Sequence, residues 1–477
     1  MSKNLRILFV SSEVDPFVKT GGLADVAGSL PQEISKLGHD VRVVLPEYTR
    51  QIPDHYLEGL QHITEFQTRV VWRREYVGIN RLINEGVPTY FVDNKFFFNR
   101  PSLYENDDRP VQFTYFCRAV LEMLPRIDFK PDVIHFNDWQ TGPMALLLDD
   151  NYRQFDFYRD IKTVFTIHNL RYQGQFGPEI INDVLGISDF HWYSGNIRHA
   201  GLVNFMKMGI MYADQLNTVS PTYAEEIKDP YFGEGLDYAL RLRGDDLSGI
   251  VNGLSYEKFN PVTDDRIFFN YSADRLEGKY KNKEHLQREL GLPVAEAPII
   301  GVISRLVEQK GLDLITHVFE DIVAGDLQFV LLGTGNTYYE SFFRQMADTY
   351  PEQVAACIKY DAGLAQKIYA GSDIFLMPSR YEPCGLSQLI SMRYGTIPLV
   401  KETGGLKDTV KPYCENTDTG YGFTFSRYNA HDMLVALERA CRIYRKRDKW
   451  RKLIKRVMQL DYSWERSARE YIDLYCN

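Results

Sequence analysis

Short apolar runs of strand length alternate with stretches of helical periodicity along this chain, and the alternation occurs in two separate series. The strand-length runs of the first series are residues 5–10, 40–45, 132–135 and 163–168. Apolar residues after the first run recur at helical spacing from Leu23 to Leu37. Alternation of this kind predicts a parallel sheet with helices on both of its faces.

The second series begins after residues 254–291, a stretch that lacks the alternation and is rich in Lys and Glu. Strands are predicted at 299–303, 328–332, 357–359 and 374–377, and helices at 312–322, 364–370 and 386–393. A chain of 477 residues is too long for one ordinary core. We therefore expect an α/β fold with two doubly wound domains, 1–253 and 254–461, and a final amphipathic helix at about 462–477.

Composition excludes several classes of protein. The net charge of -9 argues against a surface that binds nucleic acid or an anionic membrane, since either needs a basic face. The six cysteines are sparse and form no C-x-x-C pair, so neither a disulfide framework nor a zinc site is expected. No apolar segment reaches the length that spans a bilayer, which favours a cytoplasmic protein or the mature form of a plastid protein.

A Thr-Gly-Gly-Leu turn occurs twice, at residues 20–23 and 403–406. Each copy lies between a predicted strand and a predicted helix, where glycines let the backbone approach a ligand and free N–H groups can bind an anion. Lys19 precedes the first copy and can reach a phosphate there, although a lone lysine is more often a solvated surface charge. Asp25 either complements the helix dipole or bonds a sugar hydroxyl. The pattern favours a site for a phosphorylated sugar.

Two cations, Arg305 and Lys310, follow the predicted strand 299–303. Both can stabilise the charge that grows on a diphosphate leaving group. The alternative is a surface pair bridged to Glu308. Since no D-x-D triplet or His/Asp cluster occurs, we expect no metal cofactor and assign the leaving-group charge to Arg and Lys.

Glu382 stands after the predicted strand 374–377, where Pro383 and Gly385 restrict the backbone. A carboxylate there can bond sugar hydroxyls or stabilise a positive, sugar-like transition state; alternatively it caps a helix. His168 ends another predicted strand, and its residue type alone does not distinguish a structural role from a catalytic one.

Taken together, five motifs resemble those of bacterial glycogen synthases and plant starch synthases. They are Lys19–Asp25, His168-Asn169, Ser304–Leu306 with Gln309–Gly311, Arg380–Leu386, and Thr403–Asp408. The resemblance implies a GT-B fold, in which two Rossmann-like domains face a cleft and the last helix crosses back to the first domain. It also implies retaining transfer of glucose from ADP-glucose to the non-reducing 4-hydroxyl of an α-1,4-glucan such as glycogen or a maltodextrin.

The same resemblance implies roles for individual residues. The catalytic set is Glu382, Lys310, Arg305, Asp25 and His168, with Arg305 and Lys310 on the diphosphate and Asp25, His168, Asn169 and Glu382 on the transferred glucose. The donor-binding set is Lys19, Gly21, Gly22, Asn169, Asn252, Tyr360, Cys384, Gly385 and Leu386, with Tyr360 against the base. The acceptor-side candidates are Tyr104, Asp138 and Trp139.

The chain departs from the family pattern at four places. Gln140 stands where histidine is usual, Leu254-Ser255 where Ile-Asp is usual, Phe259 where tryptophan is common, and Ile390 where broader relatives carry a second glutamate. The first change is expected to alter an acceptor-side contact or a proton partner. The others are expected to alter recognition of the ribose.

Three other functions are weighed against this one. Another retaining nucleotide-sugar glycosyltransferase, of the sucrose or trehalose type, shares the architecture. An inactive glucan-binding scaffold would have no need of the cations and Glu382. A nicotinamide dehydrogenase is disfavoured because the first turn lacks G-x-G-x-x-G. The expected partners are ADP-glucose and an α-1,4-glucan, and the oligomeric state is left open.

Overall fold

The structure is a computed structural model that describes residues 4–70 and 72–476. This part of the chain forms two compact units. The first contains the described residues up to Gly253 together with those from Trp464 onward, and the second is Leu254–Ser463. Each unit buries its own hydrophobic core. The division follows Gly253, at the point where the alternating pattern of the sequence is interrupted.

The first unit is built on a large mixed sheet. Its strands are β1 (Arg6–Val10), β2 (Asp40–Pro46), β3 (Gln61–Val70), β4 (Arg73–Asn84), β5 (Val87–Asp93), β6 (Val133–Asn137), β7 (Lys162–Ile167), β8 (Gln175–Phe176), β9 (Arg198–His199), β10 (Leu202–Asn204), β11 (Gln215–Thr218) and β12 (Leu247–Gly249). In the described residues nine of them pair in the order β12-β11-β7-β6-β1-β2-β5-β4-β3, and β8, β10 and β9 form a small separate sheet.

The centre of the large sheet is parallel, as the sequence predicts. Strand β1 pairs in parallel with β2 on one side and with β6 on the other. Ile7, Leu8 and Phe9 are fully buried, because both faces of a central parallel strand are covered by other elements. The carboxyl ends of β1, β6 and β7 therefore come together at one edge of the sheet.

The sheet of the first unit departs from the predicted parallel arrangement at one side. Strand β4 runs antiparallel to both β3 and β5. The two long strands β3 and β4 follow each other closely in the chain, and antiparallel neighbours need no crossover helix. Many residues of β3 are exposed, since it lies at the sheet edge, so its sequence lacks the apolar run of a buried strand.

Helices cover the first sheet. They are α1 (Gly22–Lys36), α2 (Asp54–Leu57), α3 (Lys95–Phe98), α4 (Arg109–Met123), α5 (Asp138–Thr141), α6 (Pro143–Leu147), α7 (Phe190–Tyr193), α8 (Phe205–Tyr212), α9 (Pro221–Glu226) and α10 (Asp237–Leu242), with π-helical turns at Leu148–Tyr152 and Ile181–Leu185. Helix α1 buries Val26, Leu30 and Ile34, the apolar positions that recur at helical spacing.

The second unit has a parallel sheet. Its strands are β13 (Ile299–Ile303), β14 (Gln328–Leu332), β15 (Val354–Cys357), β16 (Ile374–Met377), β17 (Ile397–Lys401) and β18 (Phe423–Phe425). They pair in the order β15-β14-β13-β16-β17-β18, and every pair is parallel. Strands β13, β14 and β16 occupy the predicted residues. The strand predicted at 357–359 lies earlier, at β15.

Helices cover the second sheet as well. They are α11 (Glu277–Glu289), α12 (Leu312–His317), α13 (Phe319–Val323), α14 (Thr337–Thr349), α15 (Ala362–Gly371), α16 (Ser387–Arg393), α17 (Gly404–Thr409), α18 (Ala430–Tyr444) and α19 (Arg447–Met458). The single helix predicted over 312–322 is broken at Val318. Helix α11 lies in the stretch without alternation, because part of its buried face is polar: Lys279 donates to the carbonyls of Ala370 and Ser372.

The last helix, α20 (Trp464–Cys476), belongs to the first unit. Tyr471 and Tyr475 enter that unit's core. Nδ1 of His135, a buried residue of β6, lies 2.7 Å from the hydroxyl of Tyr475. The predicted α/β fold with two doubly wound, Rossmann-like domains and a last helix that returns to the first is thereby confirmed.

Among the described residues, no helix combines the length and the apolar character that a membrane crossing requires.

Candidate functional site

Lys310 and Glu382 come from two neighbouring strand ends of the second unit. Lys310 closes a 3-10 turn, Glu308–Lys310, that follows β13. The next residue, Gly311, has a φ of +71°, and a Cβ there would lie 2.0 Å from the carbonyl oxygen of Pro378. This close packing holds the turn against the chain after β16. Lys310 Nζ donates to Oε2 of Glu382 at 2.7 Å.

Glu382 is buried, with 7% of its surface exposed. Its Oε2 also accepts a hydrogen bond from the hydroxyl of Ser379 at 3.0 Å. The helix-cap alternative is wrong, because α16 has Leu386 as its N-cap residue and no side chain caps it. One oxygen of the carboxylate thus accepts hydrogen bonds from both a hydroxyl and an ammonium.

Arg305 lies on the same connection as Lys310 and is exposed. The alternative of a surface pair bridged to Glu308 is wrong, since Glu308 pairs with Arg380 at 3.1 Å and Lys310 pairs with Glu382. The chain around Arg305 is fixed by its neighbour Leu306, whose N–H donates to the carbonyl of Thr334 at 2.8 Å. An exposed guanidinium beside an ordered backbone suits the capture of an anion.

The second Thr-Gly-Gly-Leu turn packs against the loop that carries Glu382. A Cβ at Gly404 would lie 2.0 Å from the carbonyl oxygen of Glu382, and one at Gly405 would lie 2.2 Å from that of Cys384. The N–H of Gly405 donates to the carbonyls of Glu382 and Pro383 at 3.2 and 3.1 Å. The prediction that this copy offers a free amide to an anion is therefore wrong at Gly405. Its glycines allow close packing that supports Glu382.

Gln388 holds the predicted donor-binding loop, a role that the sequence did not indicate. Its Nε2 donates to the carbonyls of Cys384 and Gly385 at 3.1 and 2.9 Å. Gly385 has a φ of +75°, which a residue with a side chain rarely adopts. Leu386 then begins α16 as its N-cap residue. The only sequence signal for Gln388 was an amide among the apolar residues of a helix.

Tyr360 follows β15 and is 91% exposed. Its ring makes no aromatic or cation contact with the described residues.

The residues of this unit that depart from the family pattern have structural roles. Ile390 lies in the core, and Leu254 is buried and donates its N–H to the carbonyl of Tyr462 at 2.7 Å. Ser255 accepts the N–H of Lys258 at 3.3 Å, and Phe259 packs against the core.

The first Thr-Gly-Gly-Leu turn is open, unlike the second. Gly21 and Gly22 are exposed, and a Cβ at either would meet no atom within 4 Å. Gly21 is the N-cap residue of α1 and is in extended conformation. Lys19 Nζ lies 2.5 Å from the carboxylate of Asp25, in the first turn of the helix. No internal packing requires these glycines, so the space beside them is available to a ligand.

Glu13, which belongs to none of the five sequence motifs, anchors this turn. It follows β1 and is 4% exposed. Its Oε2 accepts the N–H of Thr20 at 2.5 Å, and its Oε1 accepts the hydroxyls of Thr20 at 2.7 Å and Tyr104 at 2.5 Å. The Tyr104 hydroxyl also lies 3.1 Å from that of Ser12, so this acceptor-side candidate is held within the protein.

Asp138 lies at the carboxyl end of β6 with a φ of +56°, which is strained for an aspartate. Its Oδ1 accepts the N–H of His168 at 2.7 Å. The pKa of Asp138 is raised to about 7, chiefly by burial and to a smaller extent by the charge of Glu13, although hydrogen bonds from the backbone of His168 and Asn169 lower it. The carboxylate thus joins the strand ends of β6 and β7.

His168 is a buried, neutral imidazole. Asn137 uses its Nδ2 to donate to Val10, so its Oδ1 is the acceptor that faces His168 Nε2 at 2.9 Å. Burial lowers the pKa of His168 to about 3. The ring is therefore uncharged at neutral pH and does not act as a general acid, although it can form a hydrogen bond with a hydroxyl. The side chain of Asn169 makes a local hydrogen bond, in which its Oδ1 accepts the N–H of Arg171 at 3.1 Å.

The predicted donor contact Asn252 and the departure Gln140 are both buried polar groups of the first unit. Asn252 is 6% exposed and Gln140 is 5% exposed. Asn252 Oδ1 and Gln140 Oε1 have no hydrogen-bond partner within the described part of the chain. Trp139 is 6% exposed and packs edge-on against Phe113, with ring centroids 5.1 Å apart. Trp139 therefore contributes mainly to packing in the core of the first unit.

Across the residues that the structure describes, no group of three or more His, Cys, Asp or Glu side chains is arranged to hold a metal ion.

Comparison with known proteins agrees with the motifs. Residues 6–242 match the family model of the starch synthase catalytic domain, and residues 283–457 match that of glycosyl transferases group 1. The chain is 50% identical to the glycogen synthase of Anoxybacillus flavithermus over 472 residues, which is 99% of this chain and 97% of that protein.

Solved structures agree as well. The catalytic domain of starch synthase IV from Arabidopsis thaliana, bound to ADP and acarbose, matches with a TM-score of 0.89 and 34% identity over 99% of both chains. Sucrose-phosphate synthase from Thermosynechococcus elongatus matches with a TM-score of 0.62 over 99% of this chain and 98% of that one, but at 16% identity this shows only a shared fold. The chain thus belongs to the glycogen synthase and starch synthase family, as a GT-B glycosyltransferase of glycogen or starch synthesis.

Proposed function

We propose that the protein transfers glucose from ADP-glucose to the non-reducing 4-hydroxyl of an α-1,4-glucan, with retention at the anomeric carbon. The observation that carries this proposal is the contact of Lys310 with Glu382, with the exposed Arg305 on the same connection as Lys310. The starch synthase IV domain of similar structure was solved with ADP and acarbose. ADP contains the diphosphate that such a pair of cations suits.

In the second unit, Arg305 and Lys310 would bind the diphosphate. Charge-assisted hydrogen bonds to phosphate are about twice as strong as neutral ones. Their effect on the rate arises because negative charge grows on the diphosphate as its bond to glucose breaks. The buried carboxylate of Glu382 would face the positive charge that develops on the sugar ring.

The reaction we propose breaks the bond between C1 of glucose and the diphosphate oxygen, and the electron pair leaves with ADP. The 4-hydroxyl oxygen of the glucan forms its bond to C1 on the same face. Its proton passes to the departing phosphate oxygen, so the products are ADP and a glucan longer by one residue. We assign no proton transfer to His168, because burial lowers its pKa to about 3.

The remaining site residues keep the roles that the family resemblance implies. In the first unit, we propose that Lys19, Gly21 and Gly22 bind the donor at the open turn, and that Asp25 and His168 bond glucosyl hydroxyls. Asn169 would assist with glucose and Asn252 with the donor, for which its unpartnered Oδ1 is a suitable acceptor. Tyr360 would stack on the base, and the Cys384–Leu386 loop would add contacts to the donor. Asp138, Trp139 and Tyr104 stay predictions for the acceptor side.

The proposal is tested by initial rates with ADP-glucose and with UDP-glucose, using glycogen and short maltodextrins as acceptors. We expect ADP-glucose to be preferred and the products to be maltodextrins lengthened through α-1,4 bonds. We also expect the rate to be unchanged by EDTA, because we propose no metal cofactor. Preference for UDP-glucose would overturn the assignment of ADP-glucose as the donor. A rate that needs a divalent ion would overturn the proposal that no metal cofactor takes part. A cytoplasmic location stays a prediction.

The same assay separates the alternatives. A sucrose- or trehalose-type enzyme would leave the maltodextrin unchanged and transfer glucose to a small sugar or sugar phosphate. An inactive scaffold would bind glycogen and release no ADP. The cations and Glu382 favour an active enzyme, because glucan binding alone has no need of them.

A further inference from the structure

Glu13 is a buried carboxylate that has no cationic partner among the described residues. In the described residues its contacts are hydrogen bonds from neutral groups: the N–H and hydroxyl of Thr20 and the hydroxyl of Tyr104. Burying an ionised carboxylate is costly unless it is paired or fully hydrogen-bonded. An amide or an apolar side chain would avoid that cost. The presence of a carboxylate here points to a task beyond stability.

We connect that task with the first Thr-Gly-Gly-Leu turn, residues 20–23, which follows Glu13 in the chain. Thr20 directly precedes Gly21, the N-cap residue of α1, and no side chain caps this helix. Gly21 and Gly22 touch no packing partner at the position of a Cβ. A glycine pair without such contacts is conformationally free unless its ends are fixed. Glu13 fixes one end, because its two oxygens bind both the backbone and the side chain of Thr20.

The carboxylate is itself held in place. The N–H of Glu13 donates to Ser11 Oγ at 3.3 Å, and Ser11 Oγ donates to the carbonyl of Glu13 at 2.6 Å. Tyr104 approaches from a segment 91 residues away and contacts Oε1. The residues between Glu13 and Thr20 close on themselves, because the N–H groups of Val14 and Val18 donate to each other's carbonyls. Glu13 therefore forms a rigid link from β1 to the turn.

We propose that Glu13 is a positioning residue which, through Thr20, holds residues 19–22 in the conformation that binds the nucleotide sugar. Tyr104 acts as a brace for Glu13. This inference rests on the proposed function, since it assumes that the open turn contacts the donor. Preorganisation of this kind improves affinity because the loop is ordered before the ligand binds.

Thr20→Val tests the link with little change of shape, because it replaces only the hydroxyl by a methyl group. We expect the KM for ADP-glucose to rise by about tenfold, with kcat and the thermal midpoint near their wild-type values. Thr20→Ser keeps the hydroxyl and is expected to restore the wild-type KM. Glu13→Gln replaces one oxygen by an NH2 group and is expected to raise KM in the same way.

Thr68→Val is the matched control. It also removes a hydroxyl that donates to a glutamate, Glu122, at 3.0 Å in the same unit. We expect its KM to equal that of the wild type. A wild-type KM in Thr20→Val, or an equal rise in Thr20→Ser or Thr68→Val, would overturn the inference.

The outcome is separable from that of the proposed function. If the wild type uses UDP-glucose instead, the same comparison of KM is made with UDP-glucose. If it turns over neither sugar nucleotide, calorimetric titration of ADP into wild type, Thr20→Val and Thr20→Ser decides the inference. Weaker ADP binding in Thr20→Val alone supports it, and equal binding in all three overturns it.

Discussion

Lys310 Nζ lies 2.7 Å from Glu382 Oε2, and this contact joins the turn after β13 to the loop after β16. The two side chains are largely covered, at 18% and 9% exposed. A contact of this kind gives the ammonium a fixed position at the end of the sheet. It also means that removing either partner leaves the other without its main contact.

Lys310→Ala and Glu382→Ala are each expected to lower kcat by at least about two orders of magnitude, because both remove charge that acts in the transition state. Steady-state rates with ADP-glucose and maltodextrin measure the effect. Lys367→Ala is the control, since Lys367 pairs with Glu289 on the surface of the same unit at 2.8 Å. Near-wild-type turnover in either site variant would remove these residues from the catalytic centre.

Tyr360→Ala is expected to raise the KM for ADP-glucose several-fold and to leave the thermal midpoint unchanged. The ring is 91% exposed, so its loss removes no packing, whereas stacking on a base would be lost. Tyr360→Phe keeps the ring and should behave as the wild type. An unchanged KM in Tyr360→Ala would show that the donor base binds elsewhere.

The parts of the fold that follow from the sequence are those with local signals. Strands β13, β14 and β16 are buried on both faces, so their apolar runs coincide with the strands. Lys310 and Glu382 were identifiable because each follows such a strand, and carboxyl ends of parallel strands meet at one edge.

Other features depend on contacts between distant residues. Strand β3 is exposed at the sheet edge, so its residues carry no apolar run. One hydrogen bond to Glu13 comes from Tyr104, which lies 91 residues away. The two Thr-Gly-Gly-Leu turns have nearly the same sequence but different surroundings, because only the second packs on the loop of Glu382. Spacing and composition do not contain that information.

The stability of the first unit is expected to depend on His135. Burial, with a smaller contribution from His168, lowers its pKa to about 3. An unfolded histidine has a pKa of about 6.5, so between that pH and 3 the unfolded state binds more protons. The stabilising contribution of neutral His135 is therefore fully present above pH 6.5. As the pH falls below that value, the free energy of unfolding decreases by about 1.4 kcal/mol per pH unit.

His135→Gln should reduce this slope, as measured by urea unfolding at several pH values between 7 and 5. Asp138 has the opposite effect on the pH dependence of stability. Its pKa is raised to about 7, so between pH 3.8 and 7 the folded state binds more protons and gains stability as the pH falls. The difference between wild type and His135→Gln isolates the histidine. Parallel curves for the two proteins would contradict the assignment.

The two glycine turns should respond differently to the same substitution. Gly405→Ala would place a Cβ 2.2 Å from the carbonyl oxygen of Cys384, so the backbone must shift at a loss of about 1–3 kcal/mol of stability. Because the N–H of Gly405 donates to the carbonyl of Glu382, kcat should fall as well. Gly22→Ala places its Cβ in open space, so the thermal midpoint should stay equal or rise slightly.

For Gly22→Ala the expected change is instead in KM for ADP-glucose, because the methyl group occupies the space that we assign to the donor. Thermal unfolding and steady-state kinetics of both variants measure the contrast. If Gly22→Ala kept the wild-type KM, the open turn would not contact the donor. If Gly405→Ala kept wild-type stability and kcat, the second turn would not support Glu382. A loss of stability in Gly405→Ala together with a rise of KM in Gly22→Ala requires that one motif serves packing in one unit and ligand access in the other.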